Sequence, residues 1–155
     1  MITITEDTID SEVIEFSLKL LEAYKQRNIG IDQDTCTENG FQTPNVIDDY
    51  SNKIKIKLLK DHFHNKELFW LHLIEYFKGG FQKLHDHERT EQNSFILHLN
   101  DADGNTSFFD SEDKISLDYK PKKGKIYYFS SNILHQGKPS YEGKKVLVGA
   151  LTRRF

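Results

Sequence analysis

At 155 residues, with 37% hydrophobic and 29% charged side chains, the chain has the balance of one globular domain able to bury a core without covalent staples. A net charge of −3 argues against electrostatic capture of nucleic acid. The single cysteine, Cys36, excludes an internal disulfide and fits a reducing compartment. No apolar run approaches the ~20 residues that span a bilayer, and Met1 to Asp10 lacks the basic start and apolar run of a signal peptide. A single cytoplasmic domain over residues 1–155, with no membrane partner, is the expectation.

The first predicted element is a helix near Asp10 to Arg27, where Val13, Ile14, Leu18, Leu21 and Tyr24 recur at helical spacing. Asn28 to Asp49 reads as a long loop, either a plain connection or a lid. From Lys53 to Leu58 lysine and aliphatic residues alternate, which predicts a strand with one wet face. Asp61 to Glu67 reads as a polar hairpin turn carrying His62 and His64 at the surface. A strand over Leu68 to Phe77, a turn at Lys78-Gly79-Gly80 and a returning strand over Phe81 to His87 come next. Further strands are predicted at Ser94 to Asn100, Thr106 to Phe109, Lys114 to Tyr119, Lys125 to Phe129 and Lys145 to Leu151. Trp70 and the phenylalanine-rich strands are assigned to the core. One helix before about eight short strands predicts a mainly β (α+β) domain, a closed or two-sheet core with the helix packed outside.

Two histidine clusters carry the chemistry. His85 and His87 are two apart, so on a strand both imidazoles point to the same face. His135 follows about fifty residues later, after another strand. A local pair plus one distant histidine can make a metal site with open positions for a cosubstrate and O2. Spacing alone also fits partly exposed strand histidines, the reading assigned to His62 and His64.

The residues around these histidines resemble the prolyl 4-hydroxylase-like 2-oxoglutarate/Fe(II) dioxygenases, including the small members common in bacteriophage genomes. Tyr76-Phe77-Lys78-Gly79-Gly80-Phe81 followed by His85 is similar to that family's "Tyr-x-x-Gly, then metal histidine". Ile96-Leu97-His98-Leu99-Asn100 resembles "Ile-Tyr-Leu-Asn", and Asp103-Gly104-Asn105-Thr106-Ser107-Phe108 resembles "Gly-Gly-Glu-Thr-x-Phe". Pro121 to Ile126, then Phe129-Ser130-Ser131 and His135, resembles "Pro-x-x-Gly, then Phe-x-Ser, then the distal histidine". Pro139, Gly143 and Lys145 fall where the family has "Pro, Gly-x-Arg/Lys". The blocks keep the family's order from Tyr76 to Leu151, inside a motif-bearing core of residues 54–152.

The resemblance implies a double-stranded β-helix, or jelly roll, and a dioxygenase using Fe(II), 2-oxoglutarate and O2, with ascorbate as a further cofactor. It implies metal ligands at His85 and His135 and a salt partner for the 2-oxoglutarate carboxylate at Lys145, with Lys144 as a rival that alternation puts on the opposite face. Tyr76 and His98 would add hydrogen bonds to the same cosubstrate. A protein or peptide side chain such as proline is the implied substrate, with nucleic-acid demethylation a second option within the class. The chain departs from the family at one ligand: the expected His-x-Asp or His-x-Glu is His85-x-His87. Three histidines, a bulge that swings Asp86 or Glu88 inward, or a third position outside the protein with His87 behind it each accommodate that change. Two other classes stay open: a non-enzymatic jelly-roll module that binds a metal or carboxylate, and a three-histidine cupin-type dioxygenase that uses no 2-oxoglutarate. The sequence leaves the oligomeric state undetermined.

Overall fold

A computed structural model describes residues 2–31, 35–60, 63, 65–86, 93–110 and 114–153. In chain order these residues form β1 (Thr5–Thr8), α1 (Ser11–Gln26), β2 (Thr37–Gln42), a 3-10 turn (Ile47–Asp49), α2 (Asn52–Leu59) and β3 (Lys66–His85). The strands β4 (Asn93–His98), β5 (Thr106–Phe109), β6 (Ile115–Tyr119), β7 (Lys125–Ser130), β8 (His135–Ser140) and β9 (Lys145–Arg153) complete it. All pairings between these strands are antiparallel, in the order β1-β7-β4-β9-β3-β8-β5-β6, with β2 added on β3.

The 20-residue β3 makes the sheet curl. Its first half, Lys66 to Glu75, pairs with β9, and its second half, Gly80 to His85, pairs with β8. One strand thus belongs to both halves of the β structure, which folds over itself as the predicted jelly roll. The expected reversal at Lys78-Gly79-Gly80 does not occur. Gly79 adopts φ +81, and the register with β8 slips after Gly80 and again after Gln82. Glycine and the bulges bend and twist the strand without ending it.

Because β-residues alternate faces, the sheet sorts its apolar side chains into two cores. Leu71, Leu73, Phe95, Leu97, Leu147 and Leu151 face outward onto Val13, Ile14 and Leu21 of α1. This confirms the helix packed outside, with bounds within one residue of those predicted. Ile74, Tyr76, Ile96, Phe108, Phe129 and Val146 form the inner core, within the curl.

Three further expectations are corrected. Lys53 to Leu58 lies in helix α2, not a strand: Ile54 and Leu58, four apart, are buried, while Ile56 is 68% exposed. Lysine and leucine suit a helix, and Ser51 Oγ caps it by accepting the Ile54 N–H at 3.4 Å. The long loop over Asn28 to Asp49 contains β2, which is zipped to β3. Two further strands are absent from the sequence reading, the short edge strand β1 and β8, whose His-Gln-Gly-Lys-Pro-Ser sequence has no apolar alternation. His62, His64, His87 and Glu88 lie outside the described residues, and with them much of the polar turn expected from Asp61 to Glu67. No helix among the described residues is long and apolar enough to cross a membrane.

Candidate functional site

Register brings the two distant histidines together. His85 at the end of β3 pairs directly with His135 at the start of β8, and their ring centroids lie 4.2 Å apart. Each ring is oriented in the same way. Nδ1–H of His85 donates to the Lys83 carbonyl at 2.7 Å, and Nδ1–H of His135 donates to the Ile133 carbonyl at 2.9 Å. A carbonyl only accepts, so the proton sits on Nδ1 and the lone pair on Nε2 in both rings. This is the tautomer in which a histidine ligates a metal through Nε2, with its other nitrogen held by a backbone carbonyl.

Hydrophobic packing surrounds His135. His135 is 2% exposed and lies edge-on to Phe129 at 4.7 Å between centroids, with Phe108 also against it. Burial holds the His85 pKa below the usual imidazole value, against the opposing pull of the Lys83 carbonyl and the Asp86 charge. Asp86 is half-buried, and no cluster of three His, Cys, Asp or Glu side chains suited to a metal forms among the described residues. His87, the third expected ligand, lies outside them.

Further along the same strand pair lies a second polar cluster. Lys144 is 1% exposed. Its ammonium donates to the Gly104 carbonyl at 2.8 Å and sits 4.7 Å from the centre of the Tyr76 ring. It makes no ion pair among the described residues, although the Asp103 charge favours the protonated form. Burial outweighs that effect and lowers its pKa to about 8. The ammonium occupies space left open by Gly137: a Cβ there would stand 3.0 Å from Nζ. Gly137 is two residues along β8 from His135, a separation of roughly 7 Å on an extended strand.

His98 completes the cluster from β4, across from Val146 of β9. It is fully buried, with its ring edge-on to Tyr127 at 5.7 Å between centroids, and among the described residues neither ring nitrogen has a hydrogen-bond partner. Burial, with the Lys144 charge adding to it, pushes its pKa down to about 3. Tyr76 is also buried and its phenol pKa is raised by that burial. A buried ammonium with no carboxylate partner among the described residues, beside a buried imidazole with two unmet polar atoms, is costly to a fold. The donor set matches a small carboxylate.

Tyr76 and His98 lie on the inner face of the sheet, and Lys145 does not. Its Nζ is 3.8 Å from Glu75 on the outer face, where Lys25 of α1 also holds Glu75 at 3.0 Å. Alternation in the sequence places Lys145 inward and Lys144 outward; the structure has the reverse. Both faces of β9 are covered, so Val146-Leu147-Val148 carries no polar residue to set the phase. Glu75, in register with Lys145, was the available signal, but it needs the β3–β9 pairing to be read.

Beside the histidine pair opens a cavity of about 160 Å³, reached by Trp70, His72, Gln82, Cys36 and Phe129. Trp70, assigned to the core from sequence, is half-buried on its wall. Cys36 lines it too, and burial raises its thiol pKa.

Neither a protein-family model nor a curated protein matches the sequence. Solved structures do match the fold. A prolyl-4-hydroxylase from Pseudomonas putida superposes with a TM-score of 0.73 at 16% identity, over 100% of this chain and 95% of that one. A prolyl hydroxylase from Trichoplax adhaerens, solved with a hypoxia-inducible-factor peptide fragment, gives 0.72 at 12% identity over 97% and 83%. The viral collagen prolyl hydroxylase of Paramecium bursaria Chlorella virus-1, in a 2-oxoglutarate complex, gives 0.66 at 14% identity over 98% and 96%.

Proposed function

We propose, on the premise of a fold shared with these prolyl hydroxylases, that the chain is an Fe(II)- and 2-oxoglutarate-dependent dioxygenase acting on a protein or peptide side chain such as proline. The carrying observation is the pairing of two imidazoles, each held by a backbone carbonyl at Nδ1, with a buried ammonium that has no ion pair among the described residues and packs against Gly137, two residues along β8 from His135. When bound, iron and 2-oxoglutarate supply O2 activation coupled to decarboxylation of the cosubstrate.

The chain's own residues do the rest. His85 and His135 would hold the metal through Nε2, and their carbonyl partners fix both rings before the ion arrives. His87 would complete the ligand set. Lys144, rather than Lys145, would neutralise the far carboxylate of 2-oxoglutarate, since it is the lysine on the histidines' face. His98, neutral at working pH, would donate or accept one hydrogen bond there, and the Tyr76 ring would keep the ammonium oriented. Phe108 and Phe129 keep water from the rear of His135, which strengthens the charge interactions made there. A three-histidine enzyme without 2-oxoglutarate has no use for Lys144.

The test is succinate release from 2-oxoglutarate in the presence of Fe(II) and ascorbate. Release that falls to background in His135→Ala supports the reading. Equal release in both proteins would defeat it. Tight binding of 2-oxoglutarate without any turnover would favour a carboxylate-binding module instead.

A further inference from the structure

The cavity beside the histidines has a second wall. Trp70 and His72, two apart on β3, both line it, with ring centroids 5.2 Å apart at 52°. His72 is locked from behind: its Nδ1 lies 2.8 Å from the Thr43 carbonyl. The carbonyl cannot donate, so Nδ1 carries a proton, and in the neutral ring Nε2 is the acceptor. None of the described residues lining the cavity is Asp, Glu, Lys or Arg. A charged side chain entering it would give up hydration and meet no counter-charge among the described lining residues.

We infer that Trp70 and His72 are specificity-determining residues that select an uncharged substrate group bearing an N–H. The indole packs on the apolar part of that group, and His72 Nε2 accepts its N–H. A side-chain amide is the simplest group with both properties. This rests on the dioxygenase reading, which makes the cavity the substrate chamber. It differs from that reading in what it asks of β3: selection by residues that touch neither the metal nor 2-oxoglutarate.

Trp70 is the only tryptophan in the chain, so its emission reports on the cavity directly. The experiment loads the whole protein with Zn(II), which binds without redox turnover, and 2-oxoglutarate. It then titrates the blocked tripeptides acetyl-Gly-X-Gly-amide, with X as Asn, Gln, Lys or Glu, and follows Trp70 emission. The Asn and Gln probes are expected to saturate at concentrations at least about tenfold below the Lys and Glu probes, the margin a missing counter-charge implies. His72→Leu is expected to weaken the Asn probe about tenfold, and His72→Gln, which keeps an acceptor, to restore most of it. Calorimetry on the same proteins should find Zn(II) and 2-oxoglutarate binding unchanged. Equal binding of the Lys or Glu probes, an Asn probe indifferent to His72→Leu, or no emission change with any probe overturns the inference while leaving the dioxygenase reading standing. Failure of the unmodified protein to bind Zn(II) and 2-oxoglutarate overturns both.

Discussion

Lys144 and Lys145 are chain neighbours with the same side chain, and the two faces of the sheet treat them in opposite ways. On the outer face Lys145 joins Lys25 around Glu75, and every charge has a partner. On the inner face Lys144 is more deeply buried, yet it meets only a carbonyl and an aromatic ring. The outer arrangement is what a fold selects to dock a helix. The inner one raises the energy of the empty protein and lowers that of a protein holding an anion. Under the proposed function, this buried charge would be the place where stability is traded for binding.

The largest expected effect separates the two lysines. Lys144→Met should weaken 2-oxoglutarate binding about 100-fold or more, the loss typical of truncating one partner of a buried charge pair. The same change should leave the ligand-free melting temperature unchanged or raised, because the desolvated ammonium is gone. Lys145→Met should alter 2-oxoglutarate affinity by less than about twofold. Calorimetry with the Zn(II) protein measures both, and a reversed order would return the anchor to Lys145.

Raising the pH sharpens the contrast without mutation. Lys144 titrates near 8 in the folded chain and near 10.5 when unfolded. Between about pH 8 and 10 the unfolded chain therefore binds more protons, and ligand-free stability should rise by about 2 kcal/mol. Affinity for 2-oxoglutarate should fall over that window, by up to tenfold per unit, because the ammonium must be re-protonated to bind. Above pH 10 the buried phenols of Tyr50, Tyr76 and Tyr128, whose pKa values burial raises, reverse the stability trend. Denaturant melts and titrations across the range check both slopes. Parallel slopes would show that Lys144 is not the anion's partner.

His98→Leu removes the imidazole whose two nitrogens have no partner. Ligand-free stability should increase by about 1 kcal/mol and 2-oxoglutarate affinity should drop about tenfold. The smallest effect belongs to the outer face. Glu75→Gln should cost about 1 kcal/mol in a denaturant melt and leave 2-oxoglutarate affinity untouched.

The sequence was most readable where one face of an element is wet. Helix α1 shows its buried stripe plainly, and the His85 and His135 blocks stood out through motif order. It was least readable where both faces are covered or where pattern and packing allow two periods. β9 is apolar on both sides, so the choice between Lys144 and Lys145 could not be made before its pairing with β3 was known. Lys53 to Leu58 satisfies a two-residue and a four-residue period equally well over so short a run. β8 carries His135 and the open space at Gly137 on a sequence with almost no apolar residues; its strand form comes from the partners β3 and β5 on either side.

The continuity of β3 has one more consequence. Trp70, His72, Tyr76 and His85 all ride on a single uninterrupted strand, with the glycine bend between the third and the fourth. Deleting one residue at Gly79-Gly80 would leave the ladder to β9 intact but shift His85 out of step with His135 and turn its ring to the other side of the sheet. Such an indel would produce a folded protein in which His85 and His135 no longer meet, so the length of this segment, and not only its residue types, is constrained.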